Sequence, residues 1–340
     1  MLLFCKDTKK IENKQPKTEE IFVSLRQNYN IILKTNLIKS YIHLHILVFI
    51  YGFTGILGKL ISLSAESLVF YRLALTVPAL WVVMKTMNIS LAVTKELLWK
   101  YLLIGSVLGV HWICFFGAIK ASNVSVALSC LATASVFASL LEPLHQRRKI
   151  EWFDVTISVV VFLILAYILG MEMSYWLGAA LGIAAAFLGA WVNVLNKKLV
   201  NSSHPMNISF YELMGAMIPV IIFLGFTTIG FSEFPTPRIF GESTNFWANL
   251  GQSDWLWLLI LAWGCTAYPF AANVHLMKKL SAFSVTFALN FEPIYAIVLA
   301  YLIFGESEKM RPEFYVGMVL ILILVLFFPM LKRRVTAPNE

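Results

Sequence analysis

The stretch NFEPIYAIVLAYLIFGE, residues 290–306, decides how this chain reads. It lies within a helix-length apolar run that starts near Ser281, and it sets a carboxylate, Glu292, and a proline, Pro293, near the middle of that run. A charge at such depth in lipid costs roughly 3 kcal/mol even on the mildest insertion scales. Pro293 lacks the N–H that would bond back to Leu289, so that carbonyl is expected to be left unpaired at the same depth. A kinked helix with a polar centre suits the wall of a lined cavity better than a lipid-facing surface.

The rest of the chain agrees. Its 340 residues are 59% hydrophobic and only 14% charged, with a mean hydropathy of +0.75. Soluble domains carry about 25% charged residues, so the composition is that of a polytopic membrane protein. The net charge of +8 does not point to nucleic acid, because the basic residues sit in short clusters between apolar runs, as loops on one membrane face do. Of the cysteines, Cys114, Cys130 and Cys265 fall inside apolar runs and Cys5 lies in the polar N-terminus. No pairing framework or metal spacing appears, so they read as small core residues. No motif for a cofactor, a phosphate loop or a nucleophile triad is visible.

About 20 apolar residues span the bilayer core. Runs of that length lie at 42–61, 67–84, 99–119, 122–141, 152–170, 175–195, 208–230, 254–275, 281–304 and 314–331, and the long connection 231–253 reads as an exposed loop. With the N-terminus inside, the outer side holds Lys59, Lys120, Arg238, Lys309 and Arg311. Every other Lys or Arg of the 27, except the intramembrane Arg72, falls on the inner side. This bias makes both termini cytoplasmic in a plasma (inner) membrane.

The chain also repeats itself. At a shift of 159, Gly105 falls on Gly264, Lys120 on Lys279, Ser122 on Ser281 and Ser125 on Ser284; nearer the start of each half, Phe70-Tyr71 falls on Phe210-Tyr211. Each half holds five spans, and an odd number forces the halves into opposite orientations. The fold class is therefore an all-α polytopic membrane protein of ten transmembrane helices in two inverted five-helix repeats. The expected division is a basic cytoplasmic extension (1–40), a first repeat (41–170), a second repeat (171–331) and a cytoplasmic tail (332–340). Glu142-Pro143 looks like an echo of Glu292-Pro293, but it needs a different shift. Glu142 reads instead as an interfacial carboxylate beside Arg147 and Arg148.

With Glu292-Pro293 running on to Gly305-Glu306, the half-repeat at residues 118–125 and Phe70-Tyr71-Arg72, the chain resembles the EamA family of the drug/metabolite transporter superfamily. The resemblance covers about residues 42–331. It implies two inverted repeats around a central cavity and ATP-independent movement of amino acids, metabolites or drugs. Gln146-Arg147 stands where the pattern has Gly-Glu.

Depth, at 1.5 Å per residue, nominates the site. Thr54, His111, Ser129, Thr133, Tyr268, Asn290 and Glu292 come out near the membrane midplane. Asn193 and Asn273 join them as candidate substrate ligands, and Trp112, Phe115, Trp191 and Tyr268 as a wall or gate. The competing account is interhelical hydrogen bonding and packing. Glu292 is the candidate carrier of a coupling proton. Arg72 and Glu212, at matching repeat positions, are expected to lie too far apart to touch, each snorkelling to head groups. Gly178 and Gly182 permit close helix approach. The expected function is secondary transport of a small molecule by alternating access in the lipid bilayer. The chain is expected to act without a cofactor or nucleic acid partner, and a monomer suffices. The alternatives are an intramembrane enzyme, which would need a clustered catalytic set, and a receptor or scaffold, which would need a large loop domain.

Overall fold

The computed structural model describes residues 16–170, 175–228, 252–308 and part of 311–331, with side chains from Ile38 onward. The expected loop at 231–253 lies largely outside the described residues and the last expected span at 314–331 partly outside them; the described residues include no strand. The chain separates into two units, Met1–His43 and Leu44–Glu340. Helix α1 is Pro16–Leu60, reaching back into the basic extension, and α2 is Ala65–Thr86, α3 Lys95–Ala121, α4 Val124–Leu131 and α5 Ala134–His145. They are followed by α6 (Trp152–Gly170), α7 (Trp176–Leu199), α8 (Pro205–Thr228) and α9 (Gln252–Leu259). A π-helical segment, Ile260–Ala267, leads into α10 (Tyr268–Leu276), followed by α11 (Ala282–Ala288) and α12 (Glu292–Phe304). Among the described residues, 8 spans are long and apolar enough to cross a bilayer, with α4 and α5 forming one of them and α11 and α12 another.

Polar residues in the short connections mark where several helices begin. Asn123 Oδ1 accepts from the Val126 N–H at 2.8 Å, and Ser281 Oγ accepts from the Ser284 N–H at 3.0 Å. Each satisfies a donor that the first helical turn leaves without an intrahelical partner.

Two lysines reveal the direction of the halves. Lys120 Nζ, at the end of α3, donates to the Ile61 carbonyl just past α1 at 2.7 Å. Near it, a methyl group added to Gly178 at the start of α7 would fall 2.4 Å from Ser122 Oγ. The far end of α7 is tied elsewhere: Lys197 Nζ donates to the Met277 and Leu280 carbonyls, both at 2.6 Å. So α7 starts at the end of the bundle where α1 finishes, and the first helices of the two halves are antiparallel.

Glycines let the halves approach backbone to backbone. A Cβ at Gly105 of α3 would lie 2.0 Å from the Glu212 carbonyl oxygen of α8, and one at Gly215 would lie 2.3 Å from the Leu102 carbonyl oxygen. Only hydrogen fits there. Gly182 is also tight, 2.6 Å from Cys130 Cβ, so the Gly178–Gly182 pair packs as its spacing suggested.

The fourth span of each half is broken in the middle. In the second half a 3-10 turn, Leu289–Phe291, separates α11 from α12. This corrects the expectation of an orphaned Leu289 carbonyl: the tighter turn brings the Glu292 N–H onto it. In the first half the break falls between Leu131 and Ala134, where the Ala132 and Thr133 N–H groups bond to Ser129 and Cys130 carbonyls. Under the 159-residue shift Thr133 lies on Glu292, so the two breaks coincide. Pro143, the proline of the first half's fourth span, lies further on within α5.

Candidate functional site

A cavity of about 120 Å³ lies among these helices, on the broken second-half span. Its wall takes Tyr51 and Thr54 from α1, Arg72 from α2, and His111, Trp112 and Phe115 from α3, with Asn193 from α7, the first helix of the second half. From the second half come Thr266 of the π-segment, Phe270 and Asn273 of α10, Thr286 of α11 and Glu292 of α12. Both halves therefore supply it.

Arg72 is the residue that sequence reasoning missed. The expectation that it snorkels is wrong: its side chain is only 2% exposed. Its Nε donates to Thr266 Oγ1 at 2.6 Å, and Thr266 in turn donates to the Leu261 carbonyl five residues back, the spacing of the π-helix. Thr76, one turn on from Arg72, donates to the Arg72 and Ala262 carbonyls, which fixes α2 against the same segment. The guanidinium carbon lies 4.1 Å from the centre of the Trp112 ring and 5.7 Å from that of Phe116, a cation–π stack. Its Nη1 is buried and has no hydrogen-bond partner. Thr266, Tyr51 and Thr286 were missed as well. Their signal was weak, since a lone Thr or Tyr in an apolar run is usually packing.

Glu292 is 8% exposed and lines the same cavity. No ion pair joins Arg72 and Glu292, although they share the cavity. An arginine and a glutamate thus line one space without pairing with each other.

The other lining groups are partly committed. His111 Nδ1 is 2.7 Å from the Ala185 carbonyl of α7, which can only accept, so Nδ1 carries the hydrogen. Its ring lies against Gly189, where a Cβ would come within 2.9 Å of Cε1. Asn193 Nδ2 donates to Thr286 Oγ1 at 3.1 Å, and Tyr51 Oη donates to the Pro269 carbonyl at 3.1 Å. Thr54 Oγ1 and Asn273 Oδ1 are buried with no partner, leaving them for a ligand or water.

Several expected site residues fall elsewhere. Tyr268 is 54% exposed and Trp191 38%, so both face outward rather than onto the cavity. Ser129, Thr133 and Asn290 are buried but outside its lining; Thr133 Oγ1 donates to the Cys130 carbonyl three residues back at 2.7 Å, a local bond within the broken span. Asn290 sits in the 3-10 turn with neither side-chain polar atom paired. Glu212 does not snorkel either: it is fully buried, with Asn196 Nδ2 donating to its Oε2 at 3.0 Å. Glu142 has Arg148 beside it, 3.4 Å away, but it is also buried and accepts from the Phe283 N–H at 2.6 Å, joining α5 to the start of α11.

The architecture defines a polytopic helical membrane protein built around an internal polar cavity. The profile of the EamA-like transporter family matches residues 38–170 and 176–330, once per half, and the chain belongs to that family of membrane transporters. An uncharacterized transporter YxxF of Bacillus subtilis (strain 168) is 25% identical over 236 residues, which make up 68% of each chain. A solved crystal structure aligns with 87% of this chain and 99% of its own at a TM-score of 0.64 and 13% identity, a likeness of fold.

Proposed function

We propose that the protein is a secondary transporter that moves a small metabolite, an amino acid or related compound, or a drug-like molecule across the plasma membrane by alternating access. The observation that carries this reading is the cavity itself. It draws on both antiparallel halves, lies at a break in a span, and presents Arg72, Glu292, Thr54 and Asn273 with unused polar capacity. Breaks in mid-membrane helices are where irregular backbone is tolerated, because it faces a cavity rather than lipid. The cluster of basic residues in every connection on one side supports cytoplasmic termini. Glu292 is the coupling group: its carboxyl lines the cavity, and protonation would change the charge that a substrate meets there.

The test is flux in proteoliposomes across a metabolite panel, with and without an imposed pH gradient. The gradient is expected to change flux of the transported compound, and Glu292→Gln to remove that dependence while the protein still inserts. Undiminished gradient-dependent flux in Glu292→Gln would remove the proton role from this residue.

A further inference from the structure

We infer that the cavity takes substrates bearing a carboxylate, and that Arg72 is the residue that receives it. This rests on the reading of the cavity as the substrate site and deepens it. The guanidinium is held from three directions. Its Nε is spent on Thr266, the Trp112 ring covers its face at 4.1 Å, and its Cζ is 5.7 Å from the Phe116 ring. What remains is the edge carrying Nη1, which is buried and has no partner.

A buried guanidinium with an open edge is costly unless something anionic meets it. Glu292 shares the cavity but makes no ion pair with Arg72, so the protein does not close that edge itself. Planar carboxylates match the guanidinium fork, and such charge-assisted bonds are among the strongest a polar site offers. A purely cationic ligand would find only Glu292 to receive it and would leave the open edge of Arg72 unpaired beside a like charge. Beside its polar groups the wall has an aromatic face, Trp112, Phe115 and Phe270, which suits a compact apolar body attached to the carboxylate.

Three probes share one branched apolar body and differ in charge: leucine carries both charges, 4-methylpentanoate only the carboxylate, and 3-methylbutylamine only the ammonium. Their binding to the full-length protein in detergent is measured by calorimetry, with no membrane gradient, so failure of the carboxylate preference is distinct from failure of translocation. At least one of the two carboxylates is expected to bind ten times or more tighter than the amine. Arg72→Gln is expected to abolish that preference, and Arg72→Lys, which keeps the charge but not the planar fork, to retain part of it. Thermal unfolding of each variant checks the fold, and Arg72→Lys carries the test should Arg72→Gln not fold. The inference is overturned if the amine binds as well as the carboxylates, if neither carboxylate binds, or if the folded Arg72 variants keep the full preference. A residue that merely braces α2 would weaken all three probes together.

Discussion

Arg72 and Glu212 are each the eighth residue of their helices, α2 and α8, and each follows a Phe-Tyr pair. Both are buried. Yet they serve different surroundings. Arg72 meets the cavity with a free hydrogen-bonding edge, between Trp112 and Thr266. Glu212 lies in the glycine seam, where its own carbonyl crowds Gly105 and its carboxyl is held by Asn196. Position in the repeat thus sets where a charge is buried, while the neighbours on other helices decide whether it lines a site or a joint. A near-symmetric scaffold can carry an asymmetric cavity this way, because one side chain per repeat is enough to distinguish the halves.

That contrast can be broken most forcefully at the joint. Gly105→Val would drive a side chain into the Glu212 carbonyl, with its Cβ only 2.0 Å from that oxygen. Overpacking there should cost about 3 kcal/mol or more, read as a large drop in the unfolding temperature or a loss of folded protein in gel filtration. Arg72→Gln should leave the protein folded but reduce flux of the transported compound at least tenfold, the scale of one lost charge-assisted hydrogen bond of about 1.5–3 kcal/mol. Tyr101→Phe, which removes bonds to Ser202 (2.8 Å) and Ser203 (2.9 Å) in the turn between α7 and α8, should cost about 1 kcal/mol of stability and spare transport. Glu212→Gln keeps an acceptor for Asn196 and should hold flux within about twofold, since no charge is removed from the cavity. If Glu212→Gln instead matched Arg72→Gln in flux, the distinction between site and joint would fail.

Much of the fold was legible because lipid imposes a simple rule. Every stretch crossing it must be long, apolar and internally hydrogen-bonded, and the runs meet that measure in plain sight. The break at Pro293 could be read from the proline, but its repair by a 3-10 turn could not, because that depends on how the chain tightens to bring the Glu292 N–H onto Leu289. The matching break at Ala132–Thr133 has no proline within it and left no local trace. Depth picked out Thr54, His111 and Glu292, which line the cavity together with the added candidates Asn193 and Asn273. Its other nominees, Ser129, Thr133, Tyr268 and Asn290, lie outside the lining, as does the wall candidate Trp191, because distance along a span says nothing about the face. For Tyr268 the face was further hidden by the π-helical Ile260–Ala267 just before it, which turns the following residues away from the 3.6-residue period. Arg72 was hidden by the reverse error. Its partners, Trp112 and Thr266, come from remote segments, and without them a charge near a span end looks destined for the head groups.

The lysine ties at the two ends of the bundle have a bearing on how this protein can change over generations. Lys120 and Lys197 grip main-chain oxygens of Ile61, Met277 and Leu280, atoms that every residue type possesses. The connecting segments can therefore exchange their side chains freely while the clasp persists, provided their backbone path holds. Replacing either lysine removes the clasp at one stroke, so the tolerance of these turns is concentrated on one partner of each pair.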